Sequence, residues 1–255
     1  MKKITKKPTP PDFESWKEHY LANNGKTLEG IIADPSTTGR ALWGCLRSQE
    51  LVDEKKEEGK HHYSKQQLRT ELHREQGGIC CYCNAPIVSL SNDDCNIEHF
   101  KAKGLPENFQ FCFDYTNLLL SCNGGRSNPP PREDKLHCDA KRKEKDSLPF
   151  SPADNDYNHE EYFTFSEFGN IIGFNPQANE MISKLALNIE FLNEARKGAI
   201  RAYLYENSFA ENPVLVEKEK AMEYIATLSN LQADNTFTPF GVAIVSVLKK
   251  EFNLP

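Results

Sequence analysis

Apolar residues recur at helical spacing through much of the chain. The clearest run is Ile182, Leu185, Ile189 and Leu192, with Lys184, Glu190, Arg196, Lys197 and Arg201 mostly away from that face. An apolar stripe backed by a charged side marks a helix lying on a core, so the spacing predicts one amphipathic helix over 180–205. Similar patterns predict helices over 216–228 and 240–252. Ala41, Leu42, Cys45 and Leu46 share helical spacing, a helix is expected to begin near Asp12 after Pro10-Pro11, and another runs over 64–75 until Gly77-Gly78 breaks it. Two short β-prone segments, 162–166 and 171–173, flank Phe168-Gly169-Asn170 and predict a β-hairpin. The charge run 53–60 reads as solvated surface. The loop 123–133, with its three prolines, reads as irregular chain.

Composition narrows the class. With 255 residues, 27% charged and 38% hydrophobic, the chain is long enough for one catalytic domain with helical extensions. No apolar run reaches the roughly 18 residues that span a bilayer, and the basic start, Met1 to Pro8, lacks the apolar core of a secretory signal. No membrane association and a cytoplasmic location are therefore expected. Eight cysteines in a reducing compartment favour a metal over disulfides. A net charge of −6 argues against coating nucleic acid by bulk charge, so local basic patches or a basic partner would have to supply that affinity. There is no internal repeat.

Cys80 and Cys83 have the two-residue gap of a knuckle turn that points both sulfurs at one ion. A tetrahedral site needs two more ligands, for which Cys122 and Cys138 are the best candidates, although 15 residues separate them. His137 competes with Cys138, and Cys81 with Cys80, because each is adjacent to its rival. Four sulfurs would close the shell around a structural Zn2+ and leave no place for water. Cys45, Cys95 and Cys112 read as buried small hydrophobes.

Between the two halves of that frame lie Glu98-His99 and Asn117, and Asp139 follows a ligand directly. This order matches the HNH, or ββα-metal, endonuclease pattern. Phosphodiester hydrolysis needs a positioned base and a cation to neutralise charge on the phosphate. His99 fits the base, since an unperturbed imidazole titrates near about pH 6.5. Glu98 would project from the opposite side of an extended segment and hold Mg2+ or Mn2+, completed by Asp139 or by Asn123. Asn117 would orient His99 through its backbone or bind the ion. Lys101, Lys103, Lys141 and Arg142, with Lys143 and Lys145, are candidate phosphate contacts.

The motifs Cys80 to Cys83, Ile97-Glu98-His99-Phe100, Asn117 to Cys122 and His137 to Lys141 resemble the PtuB-type HNH endonucleases of Septu defence systems and some retrons, as does the stretch Leu185 to Arg196. The resemblance covers most of residues 70–205. It implies an antiphage nuclease working beside a PtuA-like ABC-type ATPase, in some systems with retron RNA and DNA components. Asp139 stands where a third His or Asn is common in the wider family.

The expected fold class is α+β: a zinc-stapled ββα-metal core over 76–150, an N-terminal arm and helices over 1–75 suited to partner docking, and a hairpin with helices over 151–255. The expected activity is metal-dependent cleavage of DNA. The alternatives are cleavage of RNA such as tRNA, and a zinc-stapled adaptor that cuts nothing.

Overall fold

The structure is a computed structural model that describes residues 1–23, 28–34, 36–46, 63–126, 132–142 and 146–255. The charge run 53–60, the three prolines, Lys143 and Lys145 lie outside the described residues. The fold mixes helices with two small antiparallel sheets. The helices are α1 (Pro11–Asn23), α2 (Leu28–Ile32), α3 (Gly39–Gly44), α4 (Lys65–Glu75), α5 (Cys138–Lys141), α6 (His159–Tyr162), α7 (Pro176–Lys184), α8 (Glu190–Leu204), α9 (Lys218–Leu228) and α10 (Gly241–Glu251). The strands are β1 (Cys95–His99) paired with β2 (Leu118–Cys122), and β3 (Phe163–Phe165) paired with β4 (Ile171–Gly173). Among the described residues no helix is long and apolar enough to cross a membrane.

Local chemistry explains the elements around the cysteines. Ser64 caps α4 by accepting from the Gln67 N–H while the Gln67 side chain returns to the Ser64 N–H, a reciprocal capping box. At the other end Gly77 sits at φ +61°, and Gly78 N–H reaches back to the His73 carbonyl at 3.0 Å. This is a Schellman stop that favours glycine, and a Cβ on Gly77 would lie 2.5 Å from the Phe237 ring. The buried Gln76 amide then donates to the carbonyls of Ile79 and Leu120 and accepts from Leu120 N–H, tying the end of α4 to β2. β1 and β2 run antiparallel, with Glu98 opposite Leu119 and His99 opposite Leu118. All five residues of β2 are buried, so this strand is the floor of the core.

The expected single helix over 180–205 is two helices. After Lys184 the chain turns through Ala186 at φ +48°, and Leu187 N–H bonds the Ile182 carbonyl in the six-to-one pattern of a helix stop. Tertiary partners use the break. The Asn188 side chain accepts from Ile171 N–H and donates to the Ile171 carbonyl, both at 2.9 Å, so its amide substitutes for a neighbouring strand along β4. The Leu185 carbonyl receives the Cys138 N–H at 2.9 Å. Apolar periodicity continues across the break because Leu185 and Leu187 are buried on either side of it.

The N-terminal segment is packed against the core instead of projecting from it. Met1 and Ile4 are buried, Ile4 N–H bonds the Pro152 carbonyl, and Lys6 pairs with Glu75 while donating to the Leu118 carbonyl at 3.0 Å. Phe13 and Trp16 of α1 stack and carry an aromatic cluster on to Tyr63, Phe113 and Tyr115.

Candidate metal centre and acid–histidine site

The knuckle is built by hydrogen bonds around an asparagine. Ile79 bridges Pro86, Cys80 N–H bonds the Ala85 carbonyl, and Asn84, left-handed at φ +60°, returns its N–H to the Cys80 carbonyl. The Asn84 side chain donates to that same carbonyl, at 3.1 Å. The turn therefore presents Cys80 and Cys83 on one side. Cys122 ends β2, and Cys138 opens α5 with φ +51°. Gly124 makes that approach possible: at φ +66° it packs so closely that a Cβ would fall 2.2 Å from the His137 carbonyl oxygen. His137 N–H bonds the Gly124 carbonyl at 3.0 Å in return.

The sulfurs of Cys80, Cys83, Cys122 and Cys138 all lie within 4.8 Å of one another, and all four residues are buried. A tetrahedron with Zn–S bonds of about 2.3 Å has sulfur–sulfur edges of about 3.8 Å. Cys80 and Cys138 are 3.9 Å apart and Cys83 and Cys122 3.8 Å, so the donors fit that polyhedron. Four close, buried cysteines can hold a soft or borderline metal such as zinc. Cys81 lies outside the set, and burial, reinforced by the adjacent Cys80, pushes its thiol well above the ordinary cysteine range. His137 also lies outside it: its Nε2 is 3.7 Å from the Cys122 sulfur. Of the remaining cysteines, Cys95 and Cys112 are buried and Cys45 is half-buried, its sulfur taking the Tyr20 hydroxyl at 2.6 Å.

Glu98 and His99 are adjacent on β1 and, as alternation requires, face different neighbours. Both are buried, at 5% and 2% exposure. Glu98 Oε1 accepts from the Tyr82 hydroxyl at 2.9 Å and from Arg142 Nη1. Burial first, and then the nearby Asp139 carboxylate, raises Glu98 to about 8, against the pull of Arg142. Asp139 is also paired with Arg126 at 3.0 Å. The structure thus brings Glu98 and Asp139 together, with Arg142 paired to Glu98 and Arg126 to Asp139. Asn123 does not join them, since its side chain donates to the Asp93 and Arg126 carbonyls and accepts from Gly125 N–H.

Arg142, expected on a substrate-facing surface, is instead an internal strut. Its guanidinium donates to Glu98, to the His99 carbonyl at 3.1 Å, to Phe100 O and to Asp146 O. A buried carboxylate draws the nearest guanidinium inward, because leaving either charge unpaired costs several kcal/mol. Lys101 and Lys103 are at or near the surface, with Lys101 Nζ over the Phe111 ring at 3.5 Å. Lys141 is half-buried, 3.7 Å from Glu133.

The His99 Nε2 lies 3.1 Å from the Cys112 carbonyl oxygen. A carbonyl only accepts, so Nε2 carries the proton and Nδ1 keeps a lone pair. That Nδ1 is buried and has no hydrogen-bond partner among the described residues. Burial, with Lys103 the next contributor, lowers the imidazole to about 3, so the ring is neutral near pH 7. Asn117 spends its side chain on the loop that follows: Oδ1 accepts from Lys101 N–H at 2.6 Å, and Nδ2 donates to the carbonyls of Lys101 and Phe111. Its own carbonyl accepts from Phe100 N–H at 2.9 Å. These bonds fix the chain that follows His99 and leave no amide atom pointed at an ion.

Sequence reasoning missed Tyr82, Trp43, Arg126 and the Cys112 carbonyl. Only Tyr82, lying between two candidate ligands, carried a local signal. Arg196, assigned to the polar side of a helix, is buried. No family model matches the chain, and no curated protein matches it.

Proposed function

We propose that this chain is a metal-dependent endonuclease of the HNH type that hydrolyses nucleic-acid phosphodiesters, DNA in the first instance. The observation that carries the reading is the state of His99: a neutral imidazole whose Nε2–H is committed to the Cys112 carbonyl and whose Nδ1 lone pair has no partner among the described residues. A base that removes a proton from water needs that arrangement. The order of the acid–histidine pair, the asparagine and the cysteines in the sequence supports the same reading.

In this mechanism the Trp43 ring moves aside to admit water, which also restores the basicity that burial removes from the imidazole. Nδ1 of His99 then takes the proton from the attacking water, and Asn117 positions His99 by pinning the loop after it. Glu98 and Asp139 supply the hard oxygen donors suited to Mg2+ or Mn2+, which would neutralise charge developing on the phosphate. Engaging Glu98 this way requires Arg142 to share its carboxylate. An open cleft lined by Lys6, Phe100, Lys101, Phe111, Asp114 and Asp154 runs beside this segment. Its aspartates balance its lysines and Lys6 is paired with Glu75, so Lys101 and the aromatic faces are what it offers a polynucleotide. The zinc frame holds β2 and α5 in place and takes no part in the chemistry. An ABC-type ATPase partner, expected from the family resemblance, would supply the trigger and part of the affinity that a chain of net charge −6 lacks.

A second reading, a zinc-stapled adaptor that cuts nothing, is favoured by one observation: the Trp43 ring covers His99 and Arg142 occupies Glu98. The deciding experiment is nicking of plasmid DNA and of a tRNA pool with Mg2+ or Mn2+, wild type against His99→Ala, alone and with the co-expressed ATPase. Cleavage lost in His99→Ala supports the nuclease and names its polymer. No cleavage of either polymer under any condition transfers the weight to the adaptor.

A further inference from the structure

Arg196 lies on α8 and is 2% exposed. Burying a guanidinium is costly, and such groups are normally paired with a carboxylate. This one has no ion pair among the described residues. It donates to the carbonyls of Gly169 and Leu187, at 3.1 and 2.8 Å, reaches Asn193 Oδ1 at 3.4 Å, and lies 5.8 Å from the centre of the Phe165 ring. Every one of those neighbours is uncharged, and together they leave a positive charge inside the protein.

The groups nearby that would carry negative charge around a metal are the cysteine sulfurs. Arg196 and Cys83 line the same small space, together with Met1, Tyr82, Asn84 and Phe165. The Met1 amine is pushed down to about 5 by burial and by Arg196, so it is neutral near pH 7 and leaves Arg196 as the cation there. The turn that accepts from Arg196 at Leu187 also accepts the Cys138 N–H at Leu185. Burial pulls the guanidinium down, and Cys83 and Cys138 are the groups that pull it back up. Four thiolates around a divalent ion leave a surplus of two negative charges, and in a buried site that surplus needs a cation nearby.

We propose that Arg196 is the counter-charge of the four-cysteine metal centre, and that through its bonds to Gly169 and Leu187 it couples metal loading to the docking of the hairpin and α8 on the knuckle. This rests on the cysteine cluster holding a metal, and it holds whether or not the chain cuts nucleic acid. Arg196 acts through the ligands, so it is a positioning residue with no part in the chemistry at His99.

The experiment compares wild type, Arg196→Gln and Arg196→Lys for zinc content by mass spectrometry and for the rate of zinc transfer to a colorimetric chelator. Glutamine keeps donors for the carbonyls without the charge, whereas lysine keeps the charge. Outer partners of metal ligands are commonly worth about 10- to 100-fold in metal affinity, so Arg196→Gln should lose zinc faster by about that factor, with Arg196→Lys close to wild type. Equal rates in wild type and Arg196→Gln, or equally fast loss from both variants, would overturn the proposal while leaving the metal centre standing. A wild type that carries no metal and takes up neither Zn2+ nor Co2+ removes both. Should Arg196→Gln not accumulate as folded protein, Arg196→Lys decides alone: wild-type retention supports the counter-charge and rapid loss refutes it.

Discussion

The indole of Trp43 stands edge-on to the imidazole of His99, with ring centres 4.5 Å apart and planes at 89°. A residue of α3 thus closes over a residue of β1. The contact covers one side of the imidazole, and burial is the largest cause of its lowered pKa. Trp43→Ala should rehydrate the ring and move its pKa up from about 3 toward the ordinary value of about 6.5. An NMR titration of the histidine ring protons reads the shift directly. A pKa that stays put would assign the burial to the Cys112 side instead.

His99 also sets a pH dependence of stability. Its folded pKa is depressed, so the unfolded chain binds the proton first. Above about pH 6.5 the ring is neutral in both states and nothing is lost. As pH falls from about 6.5 toward 3, the group alone should reduce stability by about 1.4 kcal/mol per pH unit. Urea unfolding of wild type and His99→Gln across that window, with zinc in excess, should give a smaller slope for the variant. Parallel slopes would mean that His99 titrates normally in the folded protein.

The two neighbours that competed for the fourth ligand position make a sharp comparison. Cys138→Ser should lose the bound zinc and lower the melting temperature to that of chelator-stripped wild type, because metal binding is coupled to folding of the site. His137→Ala should keep one zinc per chain. Mass spectrometry of the native proteins decides, and zinc retained in Cys138→Ser but lost in His137→Ala would reverse the assignment.

The pair Arg142 and Glu98 is buried on both sides, at 3% and 7% side-chain exposure. Above about pH 8, where Glu98 carries its charge, Arg142→Met leaves it uncompensated and should destabilise by about 3–5 kcal/mol. Adding Glu98→Gln should recover much of that loss, since a neutral amide needs no counter-charge. Denaturant melts of both single variants and the double give the coupling, and strict additivity would contradict a direct pair.

Much of the architecture was legible because it is local. The helix beginning at Ser64, the Gly77-Gly78 stop and the Phe168-Gly169-Asn170 turn each sit where sequence places them, since helix ends and turns depend on residues a few positions apart. The break after Lys184 was not legible. Leu185 and Ile189 keep the helical period, and what interrupts it is the need of Cys138 and Ile171 for backbone and amide partners brought from far along the chain.

The same division runs through the site. The chain by itself determined which atoms are available: four thiols in two separated halves, an acid–histidine pair between them and an asparagine on the following turn, because residue type and spacing are properties of the sequence. Tertiary structure alone decided that Cys138 and not His137 completes the cluster, that Arg142 faces inward to Glu98, that Trp43 shuts over His99, and that Arg196 is a buried charge. The first follows from the close approach at Gly124, and the others from desolvation. Burial sets the cost of an unpaired charge or lone pair, and burial exists only once distant segments have closed around it.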